Sequence, residues 1–173
     1  MNNTKNFRSL MAVCLMLMAF SFVACSENSD DPKYRSTMPT YTDMVFEVLD
    51  ADREIIYPGD RVVARIVESK RGRLLGTVKN TWTCSDAEVK HNAPTGYTYD
   101  TSRIVLTDTF IAPATPRRYK ITLEQTLEVN GQWDNYNSSV ALLEQGTVEY
   151  RTLSQLLYGI TVEKTFAVRT RPE

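Results

Sequence analysis

Four aromatic residues, Tyr97, Tyr99, Trp133 and Tyr136, stand in or beside segments marked as loops by Pro94, Gly96 and Asn130-Gly131, with Asp134, Asn135 and Asn137 interleaved among the last two. Flat rings flanked by amide and carboxylate groups can stack on a sugar and hydrogen-bond its hydroxyls, and they lose little conformational entropy for the area they cover. The same rings serve equally well to close the ends of a core with only their polar tips in water. The four are therefore the ligand-binding residues expected from sequence, weighed against a packing role.

Covalent chemistry has weaker footing. Asp50, Asp52, Glu54 and Asp60 cluster around one turn, and two carboxylates about 5 to 9 Å apart can hydrolyse a glycosidic bond. The same acids could hold Ca²⁺ through oxygen, but their spacing is not that of an EF-hand loop, so solvated loop acids are expected. His91 is the single histidine; with Cys84, Asp86 and Glu88 it reproduces no zinc spacing, and a surface position is expected for it. A Gly-x-Ser-x-Gly elbow is absent, and Gly72 and Gly76 fit neither a P-loop nor a dinucleotide fingerprint. Lys70-Arg71-Gly72-Arg73 reads as a solvated hairpin tip. No catalytic residue, no metal and no cofactor is expected.

The elements that carry these residues show a period of two. In Tyr41–Ala51, Met44, Phe46 and Val48 share one parity; Arg61–Ser69 follows the turn Pro58-Gly59-Asp60 as a second strand. Thr77–Cys84 directs Val78, Trp82 and Cys84 one way, with Asn80 the polar exception. Buried there, Cys84 acts as a small hydrophobe rather than a reactive thiol. Ser85-Asp86-Ala87-Glu88 fits a capping box opening one helical turn. Arg103–Ala112 resumes a strand through Ile104, Leu106 and Phe110.

Arg117–Val129 has the most regular alternation, with Tyr119, Ile121, Leu123, Leu127 and Val129 on one side, broken by Gln125. It runs into Asn130-Gly131, a type I′ hairpin signal that places the return strand at Gln132-Trp133. Val140–Leu143 is too short to assign by period, and Leu153, Leu156 and Leu157 are at helical spacing. Ile160, Val162, Phe166 and Val168 restore alternation, interrupted by Lys164. The expected fold is all-β, an antiparallel sandwich of about seven to nine strands.

Ahead of this lies a different composition. Lys5 and Arg8 precede an apolar run from Leu10 to Ala24, 15 residues long, short of the roughly 20 that span a bilayer. It reads as a secretory signal. Val23-Ala24-Cys25 closing such a run resembles the bacterial lipobox, with Phe22 where leucine is usual. The resemblance implies cleavage before Cys25, acylation of its thiol and amine, and an anchor made effectively permanent by two or more chains. Residues 1–24 are then a signal peptide, 25–40 a lipidated N-terminus and flexible linker, and 41–173 one domain. Ser26-Glu27-Asn28-Ser29-Asp30-Asp31 resembles the acidic export signal of surface lipoproteins of the Bacteroidota, and reads equally as a solvated tether.

Loss of the leader moves the formal charge from −1 to −3, because it carries two basic and no acidic residues. A nucleic-acid footprint is excluded by that balance. Cys84 becomes the one thiol of the domain, so an intramolecular disulfide is impossible and stability must come from burial.

Tyr57-Pro58-Gly59-Asp60-x-Val62, Trp82, and Pro116-x-x-Tyr119-x-Ile121-x-Leu123 followed by Gly131 resemble the PKD-like and immunoglobulin-like modules of bacterial surface proteins. The likeness covers residues 41–131 and departs from PKD modules after Trp82, where Thr83-Cys84-Ser85-Asp86 replaces an acidic, glycine-bearing turn. It implies a sandwich with a binding or accessory role. The expected function is therefore a non-catalytic module of the cell envelope, held to the membrane by lipid, in the outer membrane or on the surface, with a glycan or envelope protein as partner. The alternatives are a small envelope hydrolase using dispersed carboxylates and a structural subunit that assembles through an open sheet edge.

Overall fold

The computed structural model describes residues 35–72, 75–93, 96–98, 106–129, 132–133 and 138–172; the signal segment and Cys25 lie outside the described residues. The extended segments are β1 (Arg35–Ser36), β2 (Thr40–Val48), β3 (Arg61–Lys70), β4 (Leu75–Cys84), β5 (Gly96–Thr98), β6 (Thr107–Ile111), β7 (Arg118–Val129), β8 (Gln132–Trp133), β9 (Ser139–Leu143), β10 (Gly146–Thr152) and β11 (Leu157–Ala167). One antiparallel sheet has the order β2-β3-β6. The other has the order β5-β4-β7-β11-β10-β9, in which β5 is a three-residue piece on the edge of five longer strands.

Alternation in the sequence becomes the two faces of each sheet. Met44, Val62, Phe110, Tyr119, Leu123 and Val162, all from the apolar parities, are almost completely buried, because each strand can hide only the side chains of one face. The sheets meet through aromatic rings. Phe166 of β11 lies 5.0 Å from Phe46 of β2 and 5.5 Å from Phe110 of β6, centroid to centroid. Lys164, the interruption in the last strand, reaches the same interface, where its Nζ donates to Asp43 Oδ1 of β2 at 2.7 Å.

The other two interruptions answer each other. Asn80 and Gln125 are directly opposed across β4 and β7. Gln125 Nε2 donates to Asn80 Oδ1 at 2.8 Å, and Gln125 Oε1 accepts from the Tyr41 hydroxyl at 2.6 Å. Burial pushes the Tyr41 hydroxyl far above its ordinary pKa, although the bond to Gln125 opposes the shift, so it remains a donor. A polar pair inside the core is tolerable because its groups satisfy one another.

Several expectations change at the level of elements. Gln132-Trp133 is not the return partner of β7. Both edges of β7 are already taken, by β4 and β11, and β8 pairs in parallel with β1 instead. Residues 35–40, assigned to the linker on composition, include β1 and the start of β2, and Ser36, Met38 and Pro39 are buried. Ser85–Glu88 forms no capping box: Ser85 Oγ accepts from Lys120 N–H, and the Asp86 carboxylate takes the Glu88 N–H. Leu153, Leu156 and Leu157 belong to the β10–β11 hairpin rather than to a helical turn, with Leu153 N–H bonded to the Leu157 carbonyl.

Candidate functional site

The turn Tyr57-Pro58-Gly59-Asp60 sets one wall of the site. Gly59 has φ of 80°, which with proline before it is the signature of a type II turn. The Asp60 carboxylate accepts from Tyr57 N–H and from Arg53, both at 2.7 Å, with Arg171 3.6 Å away. Burial raises the Asp60 pKa, but the Tyr57 N–H and the two guanidinium groups outweigh it and hold the carboxyl below its ordinary value. Arg53 also lies 4.5 Å over the Tyr57 ring. Of the four loop acids considered for chemistry, Asp60 is thus an ionised anchor, and Asp50 is an exposed partner of Arg61.

This turn delivers Ile56 to β11. Ile56 pairs in parallel with Val168, and its carbonyl accepts from Arg169 N–H at 2.8 Å. On the same edge β10 begins only at Gly146, opposite Lys164, and the Gln145 carbonyl accepts from Thr165 N–H at 2.9 Å. Between those two attachments this edge of β11 at Ala167 has no strand beside it among the described residues, and a groove of about 440 Å³ occupies the gap. That volume lies within the range of about 300 to 1,000 Å³ usual for small-ligand sites.

The groove has an apolar side made by Phe46, Ile55, Ile56 and Phe166 and a cationic side made by Arg118 and Arg169. Both arginines are exposed, and neither guanidinium has an ion-pair or hydrogen-bond partner among the described residues. The neighbouring Arg117, which lines a smaller depression with them, is engaged: it faces Asp86 at 3.6 Å and lies 4.8 Å over the Tyr119 ring. Glu54 and Gln145 supply acceptors at the rim. Gln145 is held in the left-handed region at φ 63°, a conformation that costs a non-glycine residue about 1–2 kcal/mol.

A second hollow, of about 220 Å³, lies elsewhere on the domain, against Met38, Tyr150 and Tyr158. It is smaller, and the Tyr150 hydroxyl is committed to accepting from Tyr41 N–H at 2.9 Å. His91 is a structural tie rather than the surface residue expected. Its side chain is 11% exposed and its Nδ1 lies 2.5 Å from Asp108 Oδ2, while Asp108 Oδ1 accepts from the N–H groups of Asn92 and Ala93. Asp108 sits on the inward parity of β6 beside Phe110, and the three bonds explain a carboxylate in that place. The Cys84 thiol is half-buried and burial pushes its pKa up, as befits an inert residue.

Of the residues singled out for ligand binding, Tyr97 is on β5 and Trp133 on β8, with side chains outside the description, and Tyr99 and Tyr136 lie outside the described residues. Arg118 and Arg169 carried no local signal. They are 51 positions apart, and only the pairing of Arg118 with Ala167 brings them to one place. No group of three or more His, Cys, Asp or Glu capable of holding a metal occurs among the described residues.

Two antiparallel sheets packed face to face define an all-β sandwich, with a groove beside the end of its last strand. No family model, curated protein or solved structure matches the chain.

Proposed function

We propose that the chain is a lipid-anchored protein of the cell envelope whose sandwich, of immunoglobulin-like arrangement, binds an acidic glycan without altering it. The strand order supports the finer fold: β2-β3-β6 faces β4-β7-β11, and Tyr119 near the start of β7 donates to the Thr115 carbonyl at 2.6 Å, the geometry of a tyrosine corner. The β9–β10 hairpin is then an insertion between the last two strands.

The observation that carries the binding reading is a pair of arginines beside an apolar wall, neither guanidinium having an ion-pair partner among the described residues. A guanidinium fork matches a carboxylate in two parallel hydrogen bonds. A sugar carboxylate taken by Arg118 and Arg169 would lay the ring's apolar face on Phe46 and Ile55, with hydroxyls toward Glu54 and Gln145.

Titration calorimetry on the chain carrying Cys25→Ser, with a uronate-containing oligosaccharide and a neutral one of equal length, tests this. The acidic sugar should bind, with affinity falling as salt rises, and Arg118→Ala and Arg169→Ala should each weaken it about tenfold, or about 1.4 kcal/mol. Equal affinity for both sugars, or no effect of either substitution, would remove the reading. In cells, Cys25→Ser should move the protein from the membrane to the soluble fraction.

A further inference from the structure

Strand β9, Ser139-Val140-Ala141-Leu142-Leu143, ends the larger sheet and, among the described residues, pairs on one side only, with β10. Natural sheet edges are commonly guarded by charge, proline or a bulge. The outer edge of β2 follows that rule, with Asp43 and Glu47 in the strand and register shifts near Asp43. No charged residue, proline or glycine occurs in β9, and its register with β10 is unbroken.

The side chains make the edge more conspicuous. Ala141 is opposite the buried Val148 and so lies on the core side of the sheet, although it is itself exposed, whereas Val140 and Leu142 are opposite Glu149 and Thr147 on the outer face. They are 64% and 86% exposed, Leu142 being the most exposed of the large hydrophobic residues among those described.

We propose that β9 pairs antiparallel with β9 of a second copy, about a two-fold axis that passes between the two Ala141 residues, perpendicular to the sheet. That axis sets Val140 against Leu142 of the copy, Leu142 against its Val140, Ala141 against Ala141 and Ser139 against Leu143. Every opposed pair shares a face, as an antiparallel sheet requires. The outer face gains a closed cluster of four apolar side chains, and Glu144 meets Ser138 rather than a like charge. This match of the segment to itself selects a second copy as the occupant, because each exposed apolar residue finds an apolar partner with no other sequence required. The contact is isologous and therefore closes at two copies. Five residues bury less than a standard interface of about 1,200–2,000 Å², so the pairing is weak in dilute solution.

The test uses the chain with Cys25→Ser. Sedimentation from about 10 µM to about 1 mM should show the average mass rising from monomer toward dimer. Ala141→Cys places two thiols at the axis, where opposed strand residues lie within the Cα range of about 4.4–6.8 Å that a disulfide needs. Mild oxidation should yield a covalent dimer at least tenfold faster than for Ser154→Cys, an exposed control on the β10–β11 hairpin, with peptide mapping locating the bond at 141. Leu142→Lys changes only an exposed side chain, so it should fold normally and stay monomeric. A monomer at 1 mM, cross-linking no faster at 141 than at 154, or a dimer that survives Leu142→Lys would each overturn the proposal. A monomer whose β9 amides become protected only on adding an envelope extract would overturn it in favour of a foreign strand.

Discussion

Asp60 shows how one side chain can fix a site without taking part in it. It closes the type II turn that lays Ile56 along β11, and its charge is compensated by Arg53 at 2.7 Å and Arg171 at 3.6 Å. Its carboxyl is held below the ordinary value, so it is ionised in the folded chain at pH values where the unfolded chain has begun to take up a proton. The stabilisation is therefore complete above the unfolded pKa of about 3.9 and is lost as pH falls through the lower folded value. Asp60→Asn should lower the melting temperature at pH 7, and the gap from the natural chain should narrow steadily below about pH 4. A gap that stays constant across a melting series from pH 7 to pH 2 would show that the carboxylate's charge contributes nothing and that Asp60 acts through its shape alone.

At the scale of elements, the groove exists because β10 begins opposite Lys164 and leaves the end of β11 uncovered on that side, and that start is made by Gln145 and Gly146. A Cβ on Gly146 would overlap the Glu163 carbonyl oxygen, a backbone atom that cannot swing away. Gly146→Ala should therefore cost about 1–3 kcal/mol by urea denaturation, and the β9–β10 hairpin should lose amide protection before the rest of the sheet. An unchanged urea midpoint would mean that the two strands separate freely at this point. The long strands were legible from their period of two, including the sides on which Trp82 and Tyr119 point. The pairing of strands was less so, since Asn130-Gly131 is a local signal and the competition for the edges of β7 is not. Asn80, Gln125 and Lys164 each looked like a flaw in an apolar parity. Their partners, Gln125 with Tyr41, and Asp43, lie 45 to 121 positions away, beyond what a local pattern can register. The candidate site was illegible for the same reason, being assembled from Phe46, Arg118, Gln145 and Arg169.

For the molecule as a whole, the question is whether two sheets that share one buried core fold as one unit. Phe166 is the side chain on which the answer turns: it is 4% exposed, and Phe46, Phe110 and Tyr119 all lie within 5.8 Å of its ring centre. Two of those rings come from the smaller sheet and one from the larger. This cluster, together with the bonds from Lys164 to Asp43 and from Tyr41 to Gln125, couples the two sheets. Phe166→Ala should cost about 3–5 kcal/mol, because it removes a large buried ring and leaves a cavity that two sheets must both collapse to fill. The loss should appear as one cooperative transition at lower denaturant, with tryptophan fluorescence, which includes Trp82 of the larger sheet, and far-ultraviolet circular dichroism moving together. Should fluorescence keep its natural midpoint while the circular dichroism loses amplitude early, the larger sheet would be standing alone. The smaller sheet would then be a cover held on by Phe166 rather than half of a single folding unit.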